Sequence, residues 1–275
     1  DGVGDIRDPL GMTGARLEVN SLIIDAFSPV IKNLIKSVEA AGGSVSGLIY
    51  NPLAAGASVL SKSQKELGSV LIDIGFGTTA MCVYEEDKLL QAAVFPVGAG
   101  NITNDLAIGL KCSIKTAETI KLSFGCAAAK EISSKDKIDL AQIDENLKSL
   151  VSRRFLAEII EARLAEIFEL VDNELKSIGK AGRLPGGAVL GGGGAKMPGM
   201  IELAKHELKL PSQLGIPEIG NLEIDNAQFS EQLEDSEFAV AAGLAVWCNE
   251  RRLKEDQWST GEKISLKKIL RYFIP

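Results

Sequence analysis

The chain is 275 residues long, 45% hydrophobic, and carries a formal net charge of −7 from 37 acidic and 30 basic side chains. That length can bury one large core or two modest ones, and an acidic balance with no aromatic-interleaved Lys/Arg cluster argues against nucleic acid as a partner. Cys82, Cys112, Cys126 and Cys248 lack paired spacing, no run approaches the ~20 apolar residues of a transmembrane helix, and the first residues do not read as a signal peptide. A zinc site, a secreted disulfide framework, a membrane span and export are therefore all unexpected, and reduced cytoplasmic thiols are the default.

In chain order, Leu17 to Ile24 alternates loosely like a strand, and Pro29 to Ala41 reads as a helix ended by Gly42-Gly43. Val45 to Tyr50 is a short apolar strand leading to Pro52, so the three together predict a β-α-β unit. Leu53 to Leu60 reads as a small helix. Val70 to Ile74 and Ala80 to Tyr84 read as paired strands, with Leu89 to Val97 as a third.

The turn between the first two of these strands is rich in glycine. Val70-Leu-Ile-Asp-Ile-Gly-Phe-Gly-Thr-Thr-Ala80 ends an apolar strand on Asp73 and turns through Gly75, Gly77, Thr78 and Thr79. Such a turn removes side chains where the backbone must reverse and approach a ligand, leaving N–H groups and the two Thr hydroxyls to face phosphate oxygens. Asp73 stands where it could hold a metal-bound water. The same residues also suit an ordinary glycine-rich hairpin.

A helical pattern begins after Ser113, with Ile114, Ala117 and Ile120 apolar and Glu118 and Lys121 sharing one face. Taken alone, this (i, i+3) pair reads as a solvated surface pair. The chain is polar from Ser123 to Leu140, with short possible strands around Ala127 to Ile132. Ser152 to Ser177 then forms a long amphipathic helix with Phe155, Ile159, Ile160, Leu164, Ile167, Phe168, Val171 and Leu175 at helical spacing, a core stripe.

Ala188-Val-Leu-Gly-Gly-Gly-Gly-Ala-Lys-Met-Pro-Gly199 runs from a short apolar strand through four glycines toward a helix near Met200. Unpaired N–H groups and a helix dipole converge there, a natural contact for an anion or nucleotide. Its spacing is not the dinucleotide fingerprint, because the loop Leu214 to Asn221 stands where that motif needs an acid. His206 is the only histidine and is expected at the surface, which leaves no partner for a Ser/His/Asp or Cys/His nucleophile. After Trp247 the chain is polar from Glu250 to Glu262. It ends in a segment whose helical wheel puts Leu266, Ile269, Leu270 and Phe273 on one face and Lys267, Lys268 and Arg271 largely opposite. A basic amphipathic helix of this kind suits the headgroup region of an anionic bilayer, or else packs on the body of the protein.

The order Asp-Ile-Gly-x-Gly-Thr-Thr, Glu-x-x-Lys, Gly-Gly-Gly-Ala-Lys-x-Pro-Gly resembles the second half of the actin-like ATPase superfamily, most closely the FtsA family of bacterial cell division. Arg7-Asp-Pro-Leu-Gly-Met-x-Gly-x-Arg-Leu-Glu18, Asn51-Pro-Leu-Ala54, Val97-Gly with Ile102-Thr-x-Asp105, and Leu156-Ala-Glu-Ile-Ile-Glu-Ala-Arg163 extend the resemblance over about residues 5 to 249. It implies an α/β, actin-like (ribonuclease H-like) fold with a partial first half and a complete second half. Residues 1–69 would be the remainder of the first lobe, and 70–235 the second lobe with an outer subdomain at about 123–183. Residues 236–250 would be a helix returning to the first lobe, followed by a linker at 251–263 and a membrane-targeting helix at 264–275.

The resemblance further implies ATP with Mg²⁺. Asp73, Gly75, Gly77, Thr78 and Thr79 would hold phosphates and magnesium, with Asp73 toward the metal. Glu118 and Lys121 would contact ribose or base, and Gly192, Gly193, Gly194, Ala195 and Lys196 would line the adenosine. The outer subdomain would dock the C-terminal peptide of FtsZ, with Arg153, Glu161 and Arg163 as contacts. The protein would self-associate into filaments and link FtsZ filaments to the inner face of the cytoplasmic membrane at the division site, hydrolysing ATP slowly if at all.

Two departures qualify this. Members often read Gly-Gly-Gly-Thr-Thr-Asp in the phosphate hairpin, where this chain has Phe76 for the middle glycine and Ala80 for the closing acid. Nothing before Val70 reads as the first phosphate hairpin of an actin-like ATPase, as in an N-terminally truncated version. The rival readings are a PilM-like component of type IV pilus assembly and a sugar or acetate kinase of the same superfamily.

Overall fold

The computed structural model describes residues 11–19, 21–145, 147, 150–219 and 232–259, together with residues 4 and 6. They fall into two compact units, 1–48 and 49–275.

In the first unit, helix α1 spans Ser28–Ala40 with Pro29 in its first turn, where a missing N–H costs nothing. It stops at Gly42, whose φ of +85° is free for glycine, and the Gly42 and Gly43 amides bond back to Glu39 and Val38. The two strands expected beside it do not form. Leu17 to Ile24 and Val45 to Tyr50 are coil at every described position, because a strand exists only where a neighbour satisfies its backbone groups and none pairs with them among the described residues.

The second unit is built on a five-stranded mixed sheet. Its strands are β1 (Ser69–Ile74), β2 (Thr79–Glu85), β3 (Lys88–Phe95), β6 (Gly187–Gly191) and β7 (Ser212–Leu214), in the order β3-β2-β1-β6-β7. β1, β2 and β3 form an antiparallel meander, while β6 runs parallel to both β1 and β7. β4 (Lys137–Asp139) and β5 (Leu150–Ser152) make a separate small pair. The predicted polar stretch therefore places its strand later than expected, and residues Ala129–Glu131 form a 3-10 turn.

Strand alternation divides the core. Val70, Ile72, Ile74, Met81, Val83, Ala188 and Leu190 point to one side, where helices α4 (Ala99–Leu110), α5 (Ile114–Phe124), α6 (Arg153–Ser177) and α7 (Met200–Leu208) contribute to the same core. Leu71, Cys82 and Val189 point to the other side, against α2 (Asn51–Val59) and α8 (Ala239–Ser259). Asp73 shares the parity of Leu71 and so stands on this second side, at the last turn of β1. Helix α3 (Lys62–Leu67) opens with a reciprocal cap, the Ser61 hydroxyl accepting from the Gln64 amide and the Gln64 side chain accepting from the Ser61 amide.

The stripe of α6 is largely as its spacing indicates. Ile160, Leu164, Ile167, Phe168, Val171 and Leu175 are fully buried, each large side chain contributing about 1.5–3 kcal/mol relative to exposure. Its N-terminal end is rotated from the expected face: Phe155 is 42% exposed, Ile159 only partly buried, and Leu156 and Ala157 take the core positions. α8 continues as helix to Ser259, so residues 251–259, expected as linker, extend it. Residues 7–10, the opening of the first family motif, and 264–275 lie outside the described residues. Among those described, no helix is long and apolar enough to cross a membrane.

Candidate functional site

β1 and β6 are parallel neighbours in register, Asp73 beside Gly191, so both glycine-rich loops leave the sheet at the carboxyl ends of adjacent strands. That is where open α/β sheets gather ligands. The loops meet too closely for a side chain at Gly192 or Gly194: a Cβ on Gly192 would lie 2.5 Å from both Asp73 Oδ1 and the Ile74 carbonyl, and one on Gly194 2.5 Å from Ile74 Cγ2. Gly192 also adopts φ +81°, which favours glycine, and its amide donates to the Ser236 carbonyl at 3.0 Å.

Asp73 is half-buried at the floor of this junction. Burial pushes its carboxyl above the ordinary value, and no hydrogen bond or cation compensates it among the described residues. Its direct cross-strand partner is Ala80, so an acid at position 80 would have stood opposite it on the same face. The chain thus carries one carboxylate at this point where two would repel.

The hairpin tip departs from expectation in two ways. Neither Gly75 nor Gly77 uses a positive φ, and a Cβ on Gly77 would meet nothing within 4 Å, so the reversal itself does not demand glycine there. Thr78 is exposed and available, but Thr79 is fully buried with its hydroxyl donating to the Val97 carbonyl at 2.8 Å, which removes it as a free phosphate donor. Thr79, the first residue of β2, turns inward on the side of Met81 and Val83, while Thr78 just before the strand stays exposed.

Glu118 and Lys121 are not the solvated pair that their spacing alone suggests. The Lys121 ammonium, in a side chain only 5% exposed, reaches Glu118 at 2.8 Å, the Thr103 hydroxyl at 2.8 Å and the Ala99 carbonyl at 3.2 Å. Thr103 also donates to Glu118. An ammonium has three protons, so Lys121 is fully engaged inside the protein and serves as an anchor between α4 and α5; Glu118, a third exposed, is the member open to a ligand. Burial alone would raise the Glu118 carboxyl, but the hydrogen bonds from Lys121 and Thr103, with the Lys121 charge, outweigh it and hold it below its usual range. A lowered folded-state value contributes stability above the unfolded value, lost as pH falls through the folded one. Glu118→Gln should therefore lower Tm at pH 7, with the difference from wild type shrinking below about pH 4; an undiminished difference in acid would contradict this ion pair.

Beyond Gly192, residues Gly193–Lys196 form a 3-10 turn with Gly193 exposed and Ala195 buried. Lys196 is held in an ion pair with Asp235 and, at 3.6 Å, Glu237. Sequence reasoning missed Asp235, Glu237 and Thr103; Thr103 sits inside the quoted Ile102-Thr-x-Asp105 motif, without a role there.

The three expected peptide contacts are each held within the chain. Arg153 bonds the Phe124 carbonyl and Asp136, both at 3.3 Å. Glu161 accepts from the Ala129 amide at 2.7 Å, and Arg163 grips Asp105 through two bonds of 2.7 and 3.0 Å while pairing with Glu166 at 2.6 Å. They fasten the 3-10 turn and α4 to α6. His206 is exposed beside Glu207, as expected. Leu266, Lys267, Lys268, Ile269, Leu270, Arg271 and Phe273 lie outside the described residues.

Residues 70–243 match the family model described as cell division protein FtsA. The chain is 42% identical over 209 residues to cell division protein FtsA of Bacillus subtilis, covering 76% of this chain and 47% of that one. It is 37% identical over 212 residues to FtsA of Pseudomonas aeruginosa, with 77% and 51% covered. It therefore spans about half the length of the curated relatives it matches. Among solved structures, MreB 5 of Spiroplasma citri bound to AMPPNP superposes with a TM-score of 0.61 at 18% identity, covering 84% of this chain and 67% of that one. A PilM-PilN type IV pilus biogenesis complex superposes at 0.60 and 20% identity, covering 80% and 57%. At such identities the likeness is one of fold, and it is the α/β actin-like fold.

Proposed function

Because this chain belongs to the family of the cell division protein FtsA, we propose that it binds ATP with Mg²⁺ and acts as a cell-division scaffold. In this reading it self-associates and links FtsZ filaments to the cytoplasmic face of the membrane at the division site. The observation that carries the nucleotide reading is Asp73, a half-buried carboxylate with no protein counter-charge among the described residues, where two loops meet too closely for a side chain at Gly192 or Gly194. A buried charge without a partner is costly, and a magnesium ion with its waters is the partner this donor suits.

Magnesium, which keeps several waters and takes one or two carboxylates, would supply charge neutralisation of the phosphates. The Gly75 amide closes the hairpin on the Thr78 carbonyl at 2.9 Å, so the amides of Phe76 to Thr78 and the Thr78 hydroxyl would face the phosphates, Gly192 to Gly194 would present backbone to the adenosine, and Glu118 would accept from the ribose. With Ala80 rather than an acid beside Asp73, hydrolysis is slow and the work is binding and assembly. The basic amphipathic pattern of 264–275 supports a membrane tether, weak per copy and strengthened by avidity in a filament. Membership of the FtsA family ranks this reading above the pilus-assembly and kinase alternatives, which share the fold alone.

Calorimetric titration of the chain with ATP and Mg²⁺ tests the first half, and absence of binding would overturn it. For the second half, the chain should co-sediment with anionic liposomes and a version ending at Gly261 should not; equal pelleting of both would remove the tail as the anchor.

A further inference from the structure

Phe76 occupies the tip of the candidate phosphate hairpin, 66% exposed, yet it is held at several points. Its carbonyl accepts the Gly100 amide at 2.7 Å, and the neighbouring Gly75 carbonyl accepts the Ala99 amide at 2.9 Å. The hairpin is therefore stitched to the first turn of α4. The fit is close: a Cβ on Gly100 would lie 2.8 Å from the Phe76 ring, and one on Gly98 2.6 Å from the Gly75 carbonyl. The ring centroid is 5.7 Å from the Lys121 ammonium, within reach of a cation–π contact. That same ammonium bonds the Ala99 carbonyl, Thr103 and Glu118. One aromatic side chain thus bridges the hairpin, the start of α4 and the buried ion pair of α5.

We propose that Phe76 is a positioning residue: its ring clamps the phosphate hairpin onto the Lys121–Glu118–Thr103 network, presetting the hairpin amides and tying the phosphate end of the site to the end where Glu118 faces the ligand. This rests on the nucleotide reading of the site. The physical basis is twofold. The ring shields a buried ammonium from water, which strengthens its bonds to Glu118 and Thr103. It also adds a side-chain attachment to a turn otherwise held by backbone bonds, so that the amides need no ordering when a phosphate arrives. A glycine in its place would leave the two backbone bonds but remove the link to α5.

The test uses the full chain as wild type, Phe76→Leu, Phe76→Gly and Phe76→Tyr. The first measurement, without nucleotide, is amide hydrogen exchange. Exchange at Ala99 and Gly100 should be about tenfold faster in Phe76→Leu and Phe76→Gly and near wild type in Phe76→Tyr, whose ring is kept. The second is affinity for ATP with Mg²⁺ against adenosine. The Leu and Gly variants should lose about tenfold in triphosphate affinity and much less for adenosine, with Tyr restoring both. Unchanged exchange at Ala99 and Gly100 in Phe76→Leu would overturn the clamp. So would loss of triphosphate and adenosine affinity in equal measure, or failure of Tyr to restore. Absence of nucleotide binding by the wild type would instead overturn the nucleotide reading, while the exchange measurement still decides the clamp.

Discussion

Gly243→Ala should destabilise the protein by about 3 kcal/mol or more, against the gain of about 1 kcal/mol that alanine ordinarily brings to a helix interior. Gly243 lies in α8 where that helix crosses α2, and a Cβ there would stand 1.7 Å from the Ala54 carbonyl oxygen and 2.3 Å from its carbon. Both are backbone atoms, so no rotamer change relieves the clash and α8 must retreat. Retreat opens the contact where Ala54, Ala55 and Ala242 are fully buried and where the Ser58 hydroxyl donates to the Ala239 carbonyl at 2.7 Å. Ala239 packs in turn on Leu71 and Val189, the sheet face that ends at Asp73, so the damage reaches the floor of the candidate site. Urea unfolding should show a lower midpoint, and Tm should fall by roughly 5–10 °C. Gly109→Ala in α4 is the matched control, because its Cβ would meet only the tip of the Ile159 side chain at 2.9 Å and that tip can move. If Gly243→Ala is as stable as Gly109→Ala, the close crossing of α2 and α8 is wrong.

Asp73→Asn should separate stability from ligand binding in opposite directions. Asp73 carries a raised carboxyl through burial, with no compensating donor or cation among the described residues. For an acid raised in the folded state, ionisation opposes folding: the penalty is absent below the unfolded value and grows as pH rises through the folded one. Asparagine removes that penalty, so without nucleotide the variant should be at least as stable as wild type at pH 7 and lose its advantage in acid. Affinity for ATP with Mg²⁺ should meanwhile fall about 100-fold, the worth of one charge-assisted partner to a metal-bound phosphate group. Thermal unfolding across pH and titration with and without Mg²⁺ read the two effects separately. A variant that loses stability at neutral pH would show that Asp73 has a partner in the folded protein, and one that binds ATP with Mg²⁺ normally would remove it from the metal site.

Much of the second unit could be read in the sequence because its signals are local. Short apolar runs bounded by turn residues marked β1, β2 and β3, the helical spacing of apolar residues marked α6, and the clusters at Gly75–Gly77 and Gly191–Gly194 marked both loops of the candidate site. The expected strands at 17–24 and 45–50 failed for the complementary reason. Alternation states only that a strand would be half-buried, while the strand itself needs a neighbour to pair with.

What the sequence determined by itself was thus the three-stranded start of the second unit, the long helix α6, the two glycine loops and the family. Each depends on side chains within a few positions of one another and on backbone preferences carried by single residues. The tertiary structure alone decided which of the predicted site groups remain free. Thr79 turns inward to Val97, Lys121 is consumed by Glu118, Thr103 and Ala99, and Lys196 pairs with an acid 39 positions away at Asp235, leaving Asp73 without a counter-charge among the described residues. Hydrogen bonds and charges are satisfied by whatever the packed chain brings within about 3 Å, and that distance has no counterpart in sequence separation.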